Sequence, residues 1–574
     1  MTSQTPLVDN STDFCHSHEG HQLAMTPHLL PYYHPSLRQW AIISALGLLL
    51  LFCFTYIFST LRFRKALFDG NRKEVPVVPY WVPGLFHAFA LWDPADFAFR
   101  LNKTFGSKTP LQVKAGWLRF FLLSNPEHVK ALFRRSRETT NTVTVAFTLR
   151  NLVDLPRETV SLYLSDNSGA GLKPRKDSDI PPERRITFLV SHNLHMFLSF
   201  RHLDGISKRY SGMLSHRIDS IDVGNEWVSW PNLSDFLQRT TLVPEIEALF
   251  GLKLLELTPG FIDDLLIFTR HVPDFLRLRP RWLNLPAHRA RKRLIQHVMR
   301  WHEYAQTHVD FTEISDEDPD WEPFWGSKLM RVRQEYELKT GAMDSVARAC
   351  EDVGLIWAST TNVQNSVFWL LFEALRDPNL KARLMNEASE CRIINTVDGT
   401  ITFDMKKLAS QPLLQSTYAE VLRFYTIPQN SLIMTYSRAM ALDAEAWTRA
   451  GRTPRMPLEE FDTERFLVHP GWKGPGGYSK AEPMNTEEVG NSRFSTDGLQ
   501  GLWVPYGGGD HMCPGRHLAK QQMLVTFALL ISEFDMEILA DSVAADMVKP
   551  DMRFAPFGSL PPATKVGFRI RKKK

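Results

Sequence analysis

Twelve residues near the C-terminus constrain the fold more than any other part of the chain: PYGGGDHMCPGR, from Pro505 to Arg516. An apolar-periodic stretch typical of a helix, HLAKQQMLVTFALLISEF, follows directly. Glycines let the backbone take positive φ angles and approach another group closely. Backbone amides at the start of a helix, with the positive end of its dipole, stabilise an anionic sulfur. The segment therefore predicts a tight loop that presents Cys513 as a thiolate beside a helix N-terminus.

Three other interpretations of this glycine-rich segment explain fewer of its residues than a thiolate loop does. They are a phosphate loop, a zinc site and an inert turn. A phosphate-binding loop also places glycines before a helix, but its pattern requires Gly-Lys-Ser/Thr, which is missing here. The five cysteines of the chain include no C-x-x-C pair, so neither a disulfide scaffold nor a structural zinc site is indicated. An inert cysteine in a simple turn would explain Cys513 alone, but not the spacing around it.

An uncharged stretch of 21 residues, Trp40 to Thr60, lies near the N-terminus. A helix needs about 20 residues to cross a bilayer. The stretch predicts a single transmembrane anchor, because a buried core helix rarely runs so far without a charge. A cleaved signal peptide has a shorter apolar run nearer the start of the chain.

Basic residues indicate which side of the membrane carries the body. Five lysines and arginines lie within residues 62–73, whereas Arg38 is the only one before the apolar stretch. The positive-inside rule places residues 1–39 in the lumen and the long C-terminal part in the cytosol. A proline-punctuated linker, residues 61–85, is expected to lead into a catalytic domain that occupies residues 86–574.

The body has the pattern of a mainly α protein with a small β portion. Long apolar-rich runs, Ser345 to Arg376 and Leu413 to Phe424, predict helices, and Asp377-Pro378 ends the first. Short pieces such as Ser431 to Tyr436 and Val566 to Ile570 predict strands. The apolar content of 44% fits a protein with a large core, and a net charge of only +4 argues against a nucleic-acid partner.

The cysteine segment resembles the haem-binding loop of the cytochrome P450 superfamily, whose pattern is F-x-x-G-x-x-x-C-x-G. Gly509, Cys513 and Gly515 match, and Tyr506 replaces the phenylalanine with another aromatic residue. His511 stands where the family usually has a basic residue two positions before the cysteine. The resemblance implies that Cys513 is the axial ligand of the iron in haem b, and that His511 contacts a haem propionate. The other three residues complete the loop that binds the cofactor.

Two further motifs follow the family's order along the chain. Glu420 and Arg423 match E-x-x-R, and residues 461–466, FDTERF, resemble the F-x-P-E-R-F segment with threonine in place of proline. An E-x-x-R pair alone is common as a solvated bridge on a helix surface. In this order, the resemblance implies a buried ionic cluster of Glu420, Arg423 and Arg465 that supports the cysteine loop.

The long helix departs from the pattern A-G-x-D/E-T that most monooxygenases of the family carry. The aligned stretch is ASTTN, residues 358–362, so it has no carboxylate, and Asn362 stands at the threonine position. The surrounding sequence looks like the branch of bile-acid-forming sterol hydroxylases and prostacyclin synthase, which also places asparagine there. An asparagine can hydrogen-bond an oxygen but cannot serve as a general acid.

Three interpretations of this helix remain open. In a hydroxylase, ordered water and Thr360 or Thr361 would supply the protons, with Thr361 and Asn362 nearest the oxygen and Thr360 behind them. In an isomerase, a peroxide would be rearranged without a reductase. In the third interpretation, the polar residues only satisfy each other across a kinked helix.

A second departure from the family pattern follows Arg423. Family members carry a longer stretch between E-x-x-R and the strand expected at Ser431 to Tyr436, and that stretch includes a loop lining the substrate pocket. The chain lacks much of it. A natural deletion and an erroneous splice model both explain the gap, and a defective haem-binding chain without turnover is a further functional alternative.

The resemblance implies the cytochrome P450 fold with one transmembrane helix before it. It also implies a monooxygenase that hydroxylates a lipophilic small molecule, such as a sterol, a terpenoid or another secondary metabolite. Oxygen and electrons from NADPH, delivered by cytochrome P450 reductase, would drive the reaction. The expected location is the endoplasmic reticulum membrane, crossed once, with the catalytic domain in the cytosol. The substrate carries no sequence signature, because its pocket is built from dispersed apolar side chains.

Overall fold

The computed structural model describes residues 36–68, 74–91, 93–312, 314–394, 401–427, 433–435, 437–472, 474–475, 492–540, 548–555 and 558–573. Most of the segment expected in the lumen lies outside these residues. So do residues 428–432, at the centre of the short connection after Arg423.

The apolar N-terminal segment forms one helix, α1, from Leu37 to Phe68. It contains the whole stretch from Trp40 to Thr60 and continues through residues 61–68, which the sequence pattern assigns to the linker. Among the described residues, α1 is the one helix long and apolar enough to cross a membrane, and none of its most apolar part is buried. Side chains that are apolar and unburied along several turns suit a lipid environment.

The end of α1 packs against the start of the body. The Tyr56 ring stacks on Trp81 with 4.2 Å between centroids. Phe63 is buried, and its ring centroid lies 4.7 Å from that of Phe105. The anchor is therefore joined to the body by packed aromatic side chains as well as by the chain itself.

Helices form most of the body. Their bounds are α2 Pro94–Phe105, α3 Pro126–Arg134, α4 Thr142–Leu152, α5 Arg157–Ser165, α6 Ile186–Phe197, α7 Phe200–Asp219, α8 Leu233–Phe250, α9 Lys253–Leu257, α10 Phe261–Arg270, α11 Val272–Leu276, α12 Leu285–Gln306, α13 Lys328–Lys339, α14 Ser345–Arg376, α15 Pro378–Ser389, α16 Met405–Leu408, α17 Pro412–Tyr425, α18 Ser437–Ala441, α19 Ala444–Arg449 and α20 Arg516–Glu533.

The long helix α14 forms the centre of the core. It begins where the Asp344 side chain accepts the Ala347 amide at 2.7 Å and ends before Pro378, which cannot continue a helix. It packs against α8, α12, α17 and α20. Every side chain from residue 363 to 374 is buried, which is the pattern of a helix enclosed on all sides. The predicted run from Ser345 to Arg376 is this helix.

Strands are short and lie at the periphery of the helices. Their bounds are β1 Leu111–Ala115, β2 Leu118–Leu123, β3 Val228–Trp230, β4 Trp321–Glu322, β5 Gly326–Ser327, β6 Arg392–Ile394, β7 Ile401–Phe403, β8 Thr426–Ile427, β9 Ile433–Thr435, β10 Leu467–Val468, β11 Arg493–Phe494, β12 Phe534–Ile538, β13 Gly558–Ser559 and β14 Phe568–Lys572. The prediction of a mainly α protein with a small β portion is confirmed.

Two of the sheets have three strands. One has the order β1-β2-β9, in which β9 runs parallel to β2, and the other has the antiparallel order β12-β14-β3. Strand β8 follows α17 directly and pairs with β13, so that Ile427 lies opposite Gly558. Among the described residues, no other strand lies between α17 and β9. The connection after Arg423 is thus short in the structure as well.

Candidate haem-binding site

The cysteine loop closes on itself and on the end of α3. The Cys513 amide donates to the Tyr506 carbonyl at 2.9 Å, and the Asp510 amide donates to the Ser136 hydroxyl at 3.0 Å. Gly509 has φ +61°, and a Cβ at this position would overlap Ser136. This glycine is therefore required by both its backbone conformation and the close approach of the neighbouring helix.

The Cys513 sulfur lies at the start of α20 and is half-buried. Burial raises the pKa of its thiol, whereas the amides of Gly515 and Arg516 and the Arg516 charge lower it. The Arg516 guanidinium is held in place by a 3.0 Å bond to the Cys513 carbonyl. Gly515 has an ordinary φ, and its Cβ would lie 4.0 Å from the sulfur, so the fold of the chain itself does not require glycine there.

His511 and Arg175 meet at one backbone carbonyl. Arg175 donates through Nη2 to the Thr139 carbonyl at 2.7 Å, and the same carbonyl hydrogen-bonds His511. Burial lowers the pKa of His511, which favours the neutral ring. Among the described residues, His511 Nε2 and Arg175 Nε have no hydrogen-bond partner. In a neutral His511 that donates to Thr139, Nε2 is an acceptor, whereas Arg175 Nε is a donor. The unpartnered donor of Arg175 indicates a missing acceptor.

Arg175 is a site residue that the sequence analysis missed. It lies in the irregular stretch between α5 and α6, and no motif surrounds it. Only the fold, which places this stretch beside the cysteine loop, reveals that Arg175 lies close to His511. A motif search could not have identified it.

Tyr506 connects the cysteine loop to α17. Its hydroxyl lies 2.6 Å from that of Tyr418, which precedes Glu420 by two residues on α17. A phenylalanine, the family's usual residue, could not form this bond. The aromatic replacement therefore adds a polar contact between the loop and the helix that carries E-x-x-R.

The three charged residues of the predicted ionic cluster are brought together. Glu420 accepts Arg423 Nε at 2.6 Å and Arg465 Nε at 3.1 Å, and all three side chains are buried. Backbone groups satisfy the rest: the Asp462 amide donates to Glu420, and both guanidinium groups donate to carbonyls, including that of Glu460. A buried ion pair is stable only when its remaining donors and acceptors are satisfied in this way.

The three candidate residues on α14 do not lie together. Thr361 and Asn362 follow Ala358 by three and four positions and share its face of the helix, whereas Thr360 lies on the opposite face. Ala358 is exposed, although it lies within a helix that is otherwise largely buried. The Thr360 hydroxyl is buried and donates to the Ile356 carbonyl of its own helix at 2.9 Å.

Asn362 belongs to a row of side chains that hold strand β13. Its Oδ1 accepts the Ser559 amide at 2.9 Å, and Asn365 Nδ2 donates to the Ser559 carbonyl at 2.8 Å. The Ser366 and Ser559 hydroxyls lie 2.9 Å apart, and Trp369 Nε1 donates to the Leu560 carbonyl at 2.7 Å. The spacing i, i+3, i+4, i+7 puts all four on one face of α14.

The residues around Cys513 fit a haem. The Cys513 side chain is half-buried, and its sulfur receives amide donors, which suits an anionic metal ligand. The unpartnered Nε of Arg175 suits a carboxylate at the edge of a porphyrin. A cavity of about 150 Å³ adjoins the loop and is lined in part by Val145, Val190 and Met512. The sulfur with its amide donors and the unpartnered guanidinium nitrogen agree with the cofactor that the cysteine motif implies.

Comparison with known proteins identifies the same family, and the match to a relative extends over most of the chain. The cytochrome P450 family model matches residues 425–556, which include the cysteine loop. The cytochrome P450 monooxygenase fsoE of Humicola fuscoatra is 31% identical over 542 residues, which cover 88% of this chain and 89% of the relative. The chain belongs to the cytochrome P450 family. Cholesterol 7-alpha-monooxygenase of Cricetulus griseus is 24% identical over 274 residues, which cover 43% of this cytochrome P450 and 49% of that enzyme.

The fold agrees with solved structures of the family. The crystal structure of the cytochrome P450DA heme domain has a TM-score of 0.56 at 15% identity, and the match covers 87% of this chain and 97% of that one. The predicted cytochrome P450 fold is confirmed. As a family member, this cytochrome P450 is a monooxygenase that uses haem and electrons from NADPH delivered by a reductase. The relatives named as monooxygenases support the first of the three interpretations of α14.

Proposed function

We propose that this cytochrome P450 hydroxylates a sterol, terpenoid or related secondary metabolite, with Cys513 as the axial ligand of the haem iron. The observation that carries the proposal is the position of the Cys513 sulfur at the start of α20, where the amides of Gly515 and Arg516 bond to it. When bound, a haem with a thiolate ligand supplies the oxygen-activating chemistry. The likeness to fungal cytochrome P450 monooxygenases and to cholesterol 7-alpha-monooxygenase supports a lipophilic substrate.

The chain's own residues have distinct roles in this proposal. Arg175 would hold a haem propionate, because its unpartnered Nε is a donor that needs an acceptor. His511 would contact a propionate in its protonated form, in which Nε2 also carries a proton. Gly509 lets the loop close, and the ionic cluster around Glu420 keeps α17 beneath it. Gly515 and Tyr506 complete the loop, Gly515 through its amide and Tyr506 through Tyr418.

On the distal side, Thr361 and Asn362 are the polar groups that share the face of Ala358. Thr361 is the hydroxyl that orders water there, and Asn362 keeps the helix in register with β13. Thr360 supports them from behind through its bond to Ile356. Without a carboxylate in this stretch, protons arrive through water and hydroxyl groups.

Residues 40–60 anchor the protein in the endoplasmic reticulum membrane, with residues 1–39 in the lumen. The linker 61–85 and the catalytic domain 86–574 lie in the cytosol, where the membrane-bound reductase reaches the domain. The support for this arrangement is the exposed apolar surface of α1 and the basic residues after it.

A carbon-monoxide difference spectrum tests the proposal directly. Membranes that contain the full-length chain should show the Soret band of a haem thiolate after reduction, and Cys513→Ala should abolish it. Cys391→Ala is the matched control, because Cys391 is also a free cysteine and is buried far along the chain from the loop. It should keep the band.

Turnover then separates the alternatives. With reductase, NADPH and oxygen, a hydroxylated product is expected, and none should form when any of the three is left out. Turnover of a peroxide without reductase would instead indicate the isomerase. A wild-type chain without a Soret band would overturn the proposal, and so would a band that persists in Cys513→Ala.

A further inference from the structure

An open groove lies between the last turns of α2 and the helices α18 and α19, and the proposed reaction does not use it. Its volume is about 590 Å³, which is in the range of small-molecule sites. The described residues that line it lie within residues 99–108, within residues 438–449 and at Asn125, the residue before α3. None of them belongs to the cysteine loop, to the ionic cluster or to α14.

Positive charge predominates in this groove. Four basic and two acidic side chains line it, an excess of two positive charges. Among the described residues, Lys103, Lys108 and Arg438 have no carboxylate within ion-pair distance. Lys103 and Lys108 are exposed, and Arg438 is half-buried. These three cations can therefore meet an anion that enters from solvent.

The two carboxylates of the groove already have partners. Asp443 accepts the Ala446 amide at 3.0 Å and so caps α19. Glu445 lies 3.6 Å from Arg449, the fourth basic residue. The charge of the other three cations is left without a direct partner.

Apolar side chains stand beside the cations. Phe99 precedes Lys103 by four positions, so both lie on the same face of α2, and Phe99 is 45% exposed. Half-buried Leu442 lines the groove from the segment between α18 and α19. A ligand that carries both a phosphate and a hydrocarbon part would use both kinds of contact.

The groove adjoins the end of the apolar helix α1. Phe105 lines it, and the ring centroid of Phe105 lies 4.7 Å from that of Phe63 on α1. Phe63 follows Thr60 by three positions, which is about 4.5 Å along a helix. The headgroup layer on each side of a bilayer is about 5–8 Å thick. With α1 in a membrane, Phe63 and the adjoining rim of the groove would lie at the level of the headgroups.

We propose that this groove binds the headgroup of an anionic glycerophospholipid from the cytosolic leaflet. Lys103, Lys108 and Arg438 surround the phosphate, and Phe99 contacts the glycerol and the first part of the acyl chains. The inference rests on the membrane arrangement given under the proposed function. Basic side chains at a membrane surface attract anionic lipids. A free phosphate would use the cations but would leave Phe99 without a contact.

Titration with short-chain lipids tests the site. Dihexanoyl phosphatidic acid is added to the purified, full-length, haem-containing protein in a nonionic detergent, and thermophoresis follows binding. Dihexanoyl phosphatidylcholine, which has no net charge, and inorganic phosphate, which has no hydrocarbon, are the comparison ligands. The wild type should bind the phosphatidic acid more tightly than either. Lys103→Gln and Arg438→Gln should each weaken that binding about fivefold, the effect of one basic side chain at a lipid headgroup.

Two basic residues of α12 supply the control. Lys292 and Arg300 are exposed and do not line the groove. Lys292→Gln and Arg300→Gln therefore remove the same charge from elsewhere on the surface and should leave the affinity unchanged.

Three outcomes would overturn the lipid site. They are equal affinity for phosphatidylcholine, equal affinity for inorganic phosphate, and equal weakening by the groove and control variants. All three leave the haem-thiolate assignment standing, since the Soret band tests that separately. Release of the wild type from membranes by alkaline carbonate would instead contradict the proposed membrane arrangement itself.

Discussion

At the scale of single residues, Glu420 has the most demanding position. It accepts from two buried guanidinium groups and from the Asp462 amide, and its side chain is inaccessible to solvent. Desolvating three charges is unfavourable, and only the complete set of bonds offsets it. The cluster therefore stabilises the fold only as a unit.

Glu420→Gln should destabilise the protein by about 3–5 kcal/mol, because it leaves two buried arginines with one fewer charge partner each. Denaturant unfolding followed by tryptophan fluorescence and by the Soret band would measure the change. Glu445→Gln is the matched control, since the exposed Glu445–Arg449 pair is 3.6 Å apart and its loss should change stability by less than about 0.5 kcal/mol. Equal effects of the two substitutions would contradict a structural role for the buried cluster.

Sequence patterns anticipated the residues that carry a local signature. Cys513 and Glu420 were predictable because motif spacing records their neighbours along the chain. Arg175 was not, because its partners are the Thr139 carbonyl and the cysteine loop, which are remote in sequence. Long-range contacts of this kind arise from packing and leave no periodic pattern.

At the scale of secondary structure, α14 carries candidate site residues and also holds strand β13 in place. Asn362, Asn365, Ser366 and Trp369 bind the backbone and side chain of residues 559–560. Strand β13 has only β8 as a ladder partner among the described strands, and their pairing is two residues long. Side chains of α14 therefore bond to backbone groups at β13 that a partner strand would bond to in a longer ladder. The run from Ser345 to Arg376 and its end before Pro378 were predictable from the sequence, but this second role was not.

Asn362→Ala should destabilise the protein by about 1–3 kcal/mol, because the Ser559 amide would lose its acceptor in a buried position. Thermal and denaturant unfolding would measure the loss. Ser359→Ala is the control, since the Ser359 hydroxyl bonds to Ile356 of its own helix. If Asn362→Ala were as stable as the wild type, the helix–strand contact would be of little consequence. Asn362 would then act chiefly toward the substrate.

At the scale of the whole molecule, α1 serves two purposes along its length. Its first part is apolar and exposed, whereas Phe63 near its end is 3% exposed and packs on Phe105. Helix α1 therefore continues past the predicted boundary at residue 60, and its packing against the body already begins at Tyr56. Hydropathy locates the lipid-facing part, but it cannot show where a helix continues into a folded body.

Two deletions would distinguish these parts. Removal of residues 1–50 leaves too few apolar residues to cross a bilayer, so alkaline carbonate should release the protein from membranes with its Soret band intact. Removal of residues 1–68 also takes Phe63 away and should lower the unfolding temperature further. Persistent membrane retention of the first variant would mean that another surface binds lipid.

The stacking of Tyr56 on Trp81 restricts how the protein moves. A body joined to its anchor through packed rings cannot swing freely beneath the lipid. With α1 in a bilayer as proposed, the body would drift sideways and spin about the membrane normal, while its height and inclination stayed nearly constant. In the proposed membrane-bound arrangement, a compound leaving the bilayer and an electron donor arriving along it would therefore approach the same sides of the enzyme.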